Sequence, residues 1–380
     1  MNIQELKKHK FIVFCRDHNN PLGLCRSIGE SGIVPVVVVV GRKPNLINHS
    51  KYAKDLHYFE EPDAGLKFII ANYSNEKDTP FLLTGQDDLT ELVDQNFNIL
   101  KDRFYFYNEG AQGLLTYNNQ KDVQCESAKE CGICVPKGVV LKKGELPQDL
   151  RYPVLTKVTM ATKGAWKKDV HICNCEQELV EAWKEIQADE MLVQEYIEKK
   201  NELCIDGFSI RGGEEVFLSY TSEYIRFTKK GFGNYMWMKQ YNDEDVKNKI
   251  KKFIKKANYT GIFCLECIID KNDELFFLEC NFRYSGWGYA HTYGGVNLPL
   301  LWADSIIHEG IDTNIKLREK PFTAMDELAD YADTVLSGKM NVLTWLIQVL
   351  RCDVLYNHNS KDWGVTRHFF TAKLKRLLHI

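Results

Sequence analysis

The 380-residue sequence contains no run of about 18 consecutive apolar residues, so no segment is expected to span a membrane. Its amino terminus, Met-Asn-Ile-Gln-Glu-Leu-Lys-Lys-His-Lys, lacks the apolar stretch of a secretory signal, which predicts a cytoplasmic protein. Neither sign of charge dominates: a net charge of -3 and a pI near 6.4 give no electrostatic footprint for nucleic acid. A GxxxxGKS/T phosphate loop and a GxSxG nucleophile elbow are both missing, as are internal repeats and low-complexity linkers. What remains is an ordinary globular composition, 44% hydrophobic and 27% charged, in a chain long enough for two or three domains.

Twelve cysteines are present, but Cys15, Cys204, Cys264, Cys267 and Cys280 sit inside apolar runs. Reduced core thiols explain that placement better than disulfides. Cys131 and Cys134 have CxxC spacing, as do Cys264 and Cys267. The second pair lies on a predicted strand, where its thiols point to opposite faces, so a four-thiol zinc set fails on geometry.

The first 105 residues alternate strand and helix signals: Phe11–Cys15, a helix after Asn19-Asn20-Pro21-Leu22-Gly23, Ile33–Val40, Phe81–Thr84, then Asp87-Asp88 and a helix from about Thr90. Continuous apolar strands of this kind predict a small open parallel sheet covered on both faces. A second segment begins near Asn118 and carries strands at Gly138–Leu141, Tyr152–Val158, Met191–Ile197 and Glu202–Ser209. From about residue 310 the pattern is mostly helical and ends in a basic stretch. Trp345–Arg351 reads as an amphipathic helix, expected to cover the core rather than lie on a membrane surface.

Chemistry concentrates in two acidic strands, Thr260–Asp270 and Glu274–Arg283. A two-residue turn at Asn272-Asp273 would set Glu266 opposite Glu279 and Cys264 opposite Asn281. Glu266, Glu279 and Asn281 then share one face; Leu265, Cys267, Ile269, Phe276, Leu278 and Cys280 share the other. Facing carboxylates repel, and a divalent cation between them removes the penalty. Two Glu and an Asn are oxygen donors suited to Mg2+; the alternative is a solvated acidic face. Lys157 ends an apolar strand, where it either snorkels to solvent or meets phosphates. Lys163-Gly164 has the composition of a phosphate-covering loop, and Gly231-Phe-Gly233 beside Lys229 and Lys230 reads more readily as a mobile one. Gln194-Glu195-Tyr196-Ile197 followed by Glu202 is either an edge strand with solvated acids or a segment reading adenine and ribose. Arg226 and Tyr235–Lys239 are expected to pack in a core or lid. Gly294-Gly295 before Val-Asn-Leu-Pro-Leu opens a helix that either faces an anion or is simply capped.

Taken in order, Lys157, Lys163-Gly164, Gln194–Ile197, Glu202, Glu266 and Glu279-Cys-Asn281-Phe-Arg283 resemble the ATP-grasp superfamily over residues 118–305. Gly294-Gly-Val-Asn-Leu-Pro299 resembles most the carboxylate–amine ligases grouped with D-aspartate ligase and carbamoyl-phosphate synthase. The loop at Thr162–Trp166 is poorer in glycine than many members have, and Phe282 stands where proline is usual. The resemblance implies an α/β, ATP-grasp fold of two α+β subdomains gripping ATP, preceded by a pre-ATP-grasp domain and followed by a helical extension. Expected boundaries are 1–105, 106–189, 190–310 and 311–380, with the site in the cleft between 118–187 and 190–305.

By the same resemblance Lys157 and Lys163 would contact ATP phosphates, Gln194, Glu195 and Ile197 adenine, and Glu202 ribose. Glu266, Glu279 and Asn281 would hold Mg2+, with Mn2+ as an alternative, and Arg283 and Lys163 would act on the transferring phosphoryl. The implied activity is ATP-dependent joining of a small-molecule carboxylate to an amine through an acyl phosphate. Bicarbonate activation, or a non-catalytic ATP-binding module, are the alternatives. Whether the chain forms a homodimer is left open.

Overall fold

A computed structural model describes residues 1–159, 166–227 and 233–377 of the chain. Lys163, Lys229, Lys230 and Gly231 therefore lie outside the described residues.

The first sheet is five-stranded and parallel: β1 (Phe11–Cys15), β2 (Val36–Val40), β3 (Asp55–Phe59), β4 (Phe81–Thr84) and β5 (Tyr105–Phe106), in the order β3-β2-β1-β4-β5. All five residues of β1 and of β2 are buried, as two-sided covering of a parallel sheet requires. The β2 strand starts at Val36, later than its apolar run, because Pro35 has no amide hydrogen for the ladder. Helix α1 (Asn19–Gly29) follows β1 and α2 (Asp87–Gln95) follows β4. Strand order reverses between β1 and β4, so a crevice opens beyond their carboxyl ends, where His18–Asn20 and Asp87 begin the two helices.

Helix α3 (Lys121–Glu130) leads into a four-stranded antiparallel sheet of β6 (Gly138–Lys142), β7 (Val154–Lys157), β8 (Ile172–Cys173) and β9 (Glu190–Glu195), in the order β6-β9-β7-β8. Its own small core includes Val154, Leu179, Trp183, Met191 and Val193.

The third sheet has seven strands: β10 (Lys199–Ile210), β11 (Glu215–Phe227), β12 (Gly233–Lys239), β13 (Gly261–Asp270), β14 (Leu275–Asn281), β15 (Phe322–Met325) and β16 (Val354–Leu355). Their order is β14-β13-β10-β11-β12-β15-β16, which puts the acidic hairpin at one edge. The helices of the carboxyl-terminal part include α4 (Leu298–Ile307), α5 (Glu327–Thr334), α6 (Val342–Arg351) and α7 (Trp363–Leu377). The carboxyl-terminal residues, expected to be helical, thus also add two short strands to this sheet. They tie back to the first sheet's helix α1 through Arg26, whose Nε donates to Asp362 at 2.9 Å with both side chains buried. Helix α6 departs from the expectation of core packing, since none of its residues is buried. Among the described residues no helix is long and apolar enough to cross a membrane.

Candidate active site

The hairpin register is Cys264 opposite Asn281 and Glu266 opposite Glu279, as the sequence predicts, but by a different route. The loop holds three residues, not two: the Asp270 amide donates to the Glu274 carbonyl at 3.0 Å, and Asp273 takes a left-handed φ of 65°. Asp270 stabilises this loop by accepting from the amides of Asn272 and Glu274, each at 2.8 Å. A bulge then leaves Leu278 unpaired, because Cys267 faces Phe277 while Glu266 faces Glu279. The extra loop residue and the bulge cancel, so the acids still meet. The apolar face changes accordingly: Phe277 enters the core beside Leu265, Cys267 and Cys280, in place of the expected Phe276 and Leu278.

A cavity of about 530 Å³ opens over this hairpin and is lined by Glu266, Glu279, Asn281 and Arg283. Asn281 Nδ2 donates to Glu266 Oε1 at 2.9 Å, and Arg283 donates to Asn281 Oδ1 at 2.9 Å. Arg283 also grips Asp87 with two N–H groups, at 2.6 and 3.2 Å. Asp87 thereby joins the crevice of the parallel sheet to the hairpin. Lys121 Nζ lies 2.5 Å from Glu279 Oε2. Three residues on, Gln124 uses both ends of its amide on the Cys280 backbone, each at 2.8 Å. Residues i and i+3 share a helix face, so the Gln124 clamp sets Lys121 over Glu279.

The charges divide unequally. The Lys121 ammonium holds Glu279 below the usual carboxylate range despite burial. Glu266 is pushed up, by burial first and then by the charges of Glu279 and Glu202. Burial alone would lower Lys121, but its bond to Glu279 raises it. Lys157 is pushed down to about 8, by burial and then by the neighbouring Lys121 ammonium. Two carboxylates and an amide therefore lie together, with the Lys121 ammonium on Glu279 and the Arg283 guanidinium on Asn281. The donor set fits a hard divalent ion. Sulfur atoms of Cys204 and Cys264 lie within 4.8 Å of a Glu266 oxygen, which would favour a softer ion only if the thiols were engaged.

Among the described residues, the other sequence-predicted ones do not line this cavity. Glu202 shares the Glu266 face of the sheet, opposite Ile268, and pairs with Lys199 at 2.5 Å. Gln194 is buried on β9 with Nε2 3.5 Å from Cys125 Sγ. The Glu195 carboxylate accepts from the Arg151 amide at 3.0 Å, and its own amide is committed to the Lys137 carbonyl. Ile197 is half-buried in the connection from β9 to β10. Lys163 is not among the described residues. Helix α4 begins as a capped helix: Asn297 Oδ1 accepts from Leu300, and Leu298 and Trp302 are buried. Arg226 packs against Asp330 at 2.8 Å, away from the cavity lining.

Sequence reading missed Asp87 and Lys121. Asp87 follows a strand of a parallel sheet, the end where such folds bind ligands. Lys121 stands in the first turn of a helix, where a cation opposes the helix dipole and calls for a local reason. It also missed His18, Asn19, Asn234, Trp287, Asp326 and Tyr356, which line the same cavity.

No protein-family model matches the sequence. No curated protein matches it either. Solved structures do. The N5-carboxyaminoimidazole synthetase of Staphylococcus aureus in complex with ADP superposes with a TM-score of 0.65 at 16% identity, over 86% of each chain. The L-amino acid ligase of Bacillus licheniformis gives 0.62 at 14% identity, over 83% of this chain and 79% of that one. A biotin carboxylase–nucleotide complex from Campylobacter jejuni gives 0.65 at 16% identity, over 83% of this chain and 74% of that one. The likeness establishes an ATP-grasp fold with an amino-terminal domain.

Proposed function

We propose that the chain is an Mg2+-dependent, ADP-forming ligase that joins a carboxylate to an amine. The carrying observation is the cavity over β13 and β14, where Glu266, Glu279 and Asn281 face Lys121 and the Asp87-bound Arg283. Phosphoryl transfer is catalysed mainly by positioning and by neutralising charge, and the charged groups over the hairpin are suited to both. Bound between Glu266, Glu279 and Asn281, Mg2+ would neutralise the ATP phosphates. Lys157 and Lys121 add positive charge from the opposite side of the cleft, and Lys163 belongs to the same proposal. Gln194, Glu195 and Ile197 are assigned to adenine and Glu202 to ribose, with ATP held between residues 118–187 and 190–305.

Arg283 is held by Asp87 and Asn281, so its guanidinium is oriented before substrate arrives. Its role is to steady the transferring phosphoryl and the substrate carboxylate. The carboxylate oxygen takes the γ-phosphoryl group, ADP leaves, and the amine nitrogen then displaces phosphate to form the amide. The Asp326 and Trp287 part of the cavity, built on elements outside the hairpin, is assigned to these substrates.

Two of the similar structures are named for carboxylation chemistry, which supports bicarbonate as the second reading of the carboxyl substrate. One assay separates the two. The protein is incubated with Mg-ATP, hydroxylamine and pooled carboxylates, with bicarbonate in a separate arm, and hydroxamate and ADP are read together. Hydroxamate from a carboxylate pool supports the amide ligase, and ADP only with bicarbonate supports the second reading. Glu279→Gln should lower ADP formation at least about a hundredfold with the fold intact. Unchanged ADP release in that variant would reject the metal assignment.

A further inference from the structure

Helix α6 carries Leu343, Leu346, Ile347 and Leu350 at i, i+3, i+4 and i+7, the spacing of a core-facing stripe. Here the stripe faces solvent: Leu343 is 69% and Leu350 83% exposed. The opposite side of the helix is the one fastened to the protein. Trp345 meets Tyr331 edge-to-face with ring centroids 4.9 Å apart and donates to Asp330 at 3.0 Å. Gln348 accepts from Arg226 at 2.8 Å. An apolar stripe has thus been turned outward and held there by polar contacts. Leu336 and Val342, also exposed, extend it.

The helix and the turn before it carry only basic charges, with Asp333 and Asp353 flanking that segment. Between Asp333 and Asp353 the only charged residues are Lys339 and Arg351, both exposed and one at each end of the helix. A ten-residue helix is only about 15 Å long. One row of side chains over that length is far short of the roughly 800 Å² per partner that a stable protein interface buries. A single apolar row suits a helix lying flat in a membrane interface, which sinks its apolar face only about 5–10 Å.

We propose that α6 is an in-plane anchor that docks this protein on anionic lipid surfaces, with Leu343, Leu346, Ile347 and Leu350 inserted and Lys339 and Arg351 on headgroups. The adjoining helix α5 is capped by Asp326, whose carboxylate accepts from Ala329 and which also lines the cavity. Docking therefore brings the rim of the cleft to the lipid surface.

The test is flotation of the full chain with phosphatidylcholine vesicles, with or without an equimolar share of phosphatidylglycerol, at low and high salt. Wild type should float with the anionic vesicles and be released by salt. Leu343→Glu/Ile347→Glu and Lys339→Glu/Arg351→Glu should each reduce partitioning at least about tenfold. Leu343→Ser/Ile347→Ser provides a milder variant whose thermal melt should match wild type. Three results would each overturn the proposal: no flotation of wild type, flotation unchanged by the leucine–isoleucine pair, or a wild-type dimer in sedimentation that this pair dissolves. The last would make the stripe a protein interface.

Discussion

Replacing Lys121 by methionine should destabilise the metal-free protein and make its stability respond to Mg2+. Lys121 Nζ and Glu279 Oε2 are 2.5 Å apart, with side chains only 19% and 27% exposed. A hydrogen bond to a charged group contributes about 1.5–3 kcal/mol, and breaking a fully buried pair costs about 3–5 kcal/mol. Partial exposure favours the lower range, about 2 kcal/mol. Protonation sets a ceiling, because an unpaired Glu279 escapes by binding a proton. At pH 7 that costs about 1.4 kcal/mol for each of roughly 2.7 units above an ordinary glutamate, or about 4 kcal/mol. The expected fall in melting temperature is about 4–8 °C if the unit that melts is about 150–250 residues.

The pH dependence has a definite sign. Because Lys121 lowers Glu279, its contribution is complete above the ordinary glutamate pKa and is lost as pH falls through the lower folded value. The wild-type contribution is therefore the same at pH 8 and pH 5, and a deficit that shrinks between them reports the variant's unpaired, buried Glu279 taking up a proton. If Glu266 and Glu279 are the metal pair, Mg2+ supplies the missing cation and raises the variant's melting temperature more than the wild type's. Scanning fluorimetry of both proteins, with and without Mg2+ at pH 5 and 8, reads all of this. Equal response to Mg2+ would refute the metal pair. An unchanged melting temperature without metal would refute the claim that the ion pair stabilises the fold.

Lys157, pushed down to about 8, should be protonated at pH 7 and largely neutral at pH 9. ATP affinity should weaken across that interval, and Lys157→Arg should remove the dependence; a flat wild-type profile would reject the phosphate contact. Asp362→Ala should cost about 3–5 kcal/mol in urea unfolding, because it strands the buried Arg26 guanidinium and removes the acceptor for Ser50 and Lys51. A loss below about 1 kcal/mol would mean that Arg26 finds another partner.

Local pattern made the hairpin legible. Strand alternation, two acids and an asparagine set Glu266 opposite Glu279 and Cys264 opposite Asn281, although the apolar face behind them shifted by one residue. The turn itself was not legible: the three-residue loop and the Leu278 bulge depend on Asp270 and on which phenylalanine fits the core. That the acids still meet follows from two offsets of one residue each, which cancel.

The amino-acid sequence alone determined the α/β class, the parallel amino-terminal sheet and the acidic pair, because side-chain period and apolar run length are properties of a few adjacent residues. Tertiary structure alone decided which distant groups reach that pair. Asp87 is 196 residues from Arg283, and Lys121 is 158 from Glu279. No short-range pattern encodes contacts closed by helix–strand packing, such as the Gln124 clamp. The same holds for α6, whose stripe looks identical in sequence whether it covers a core or faces outward. The contacts of Trp345 with Tyr331 and Asp330 and of Gln348 with Arg226, which use up its other side, leave it exposed.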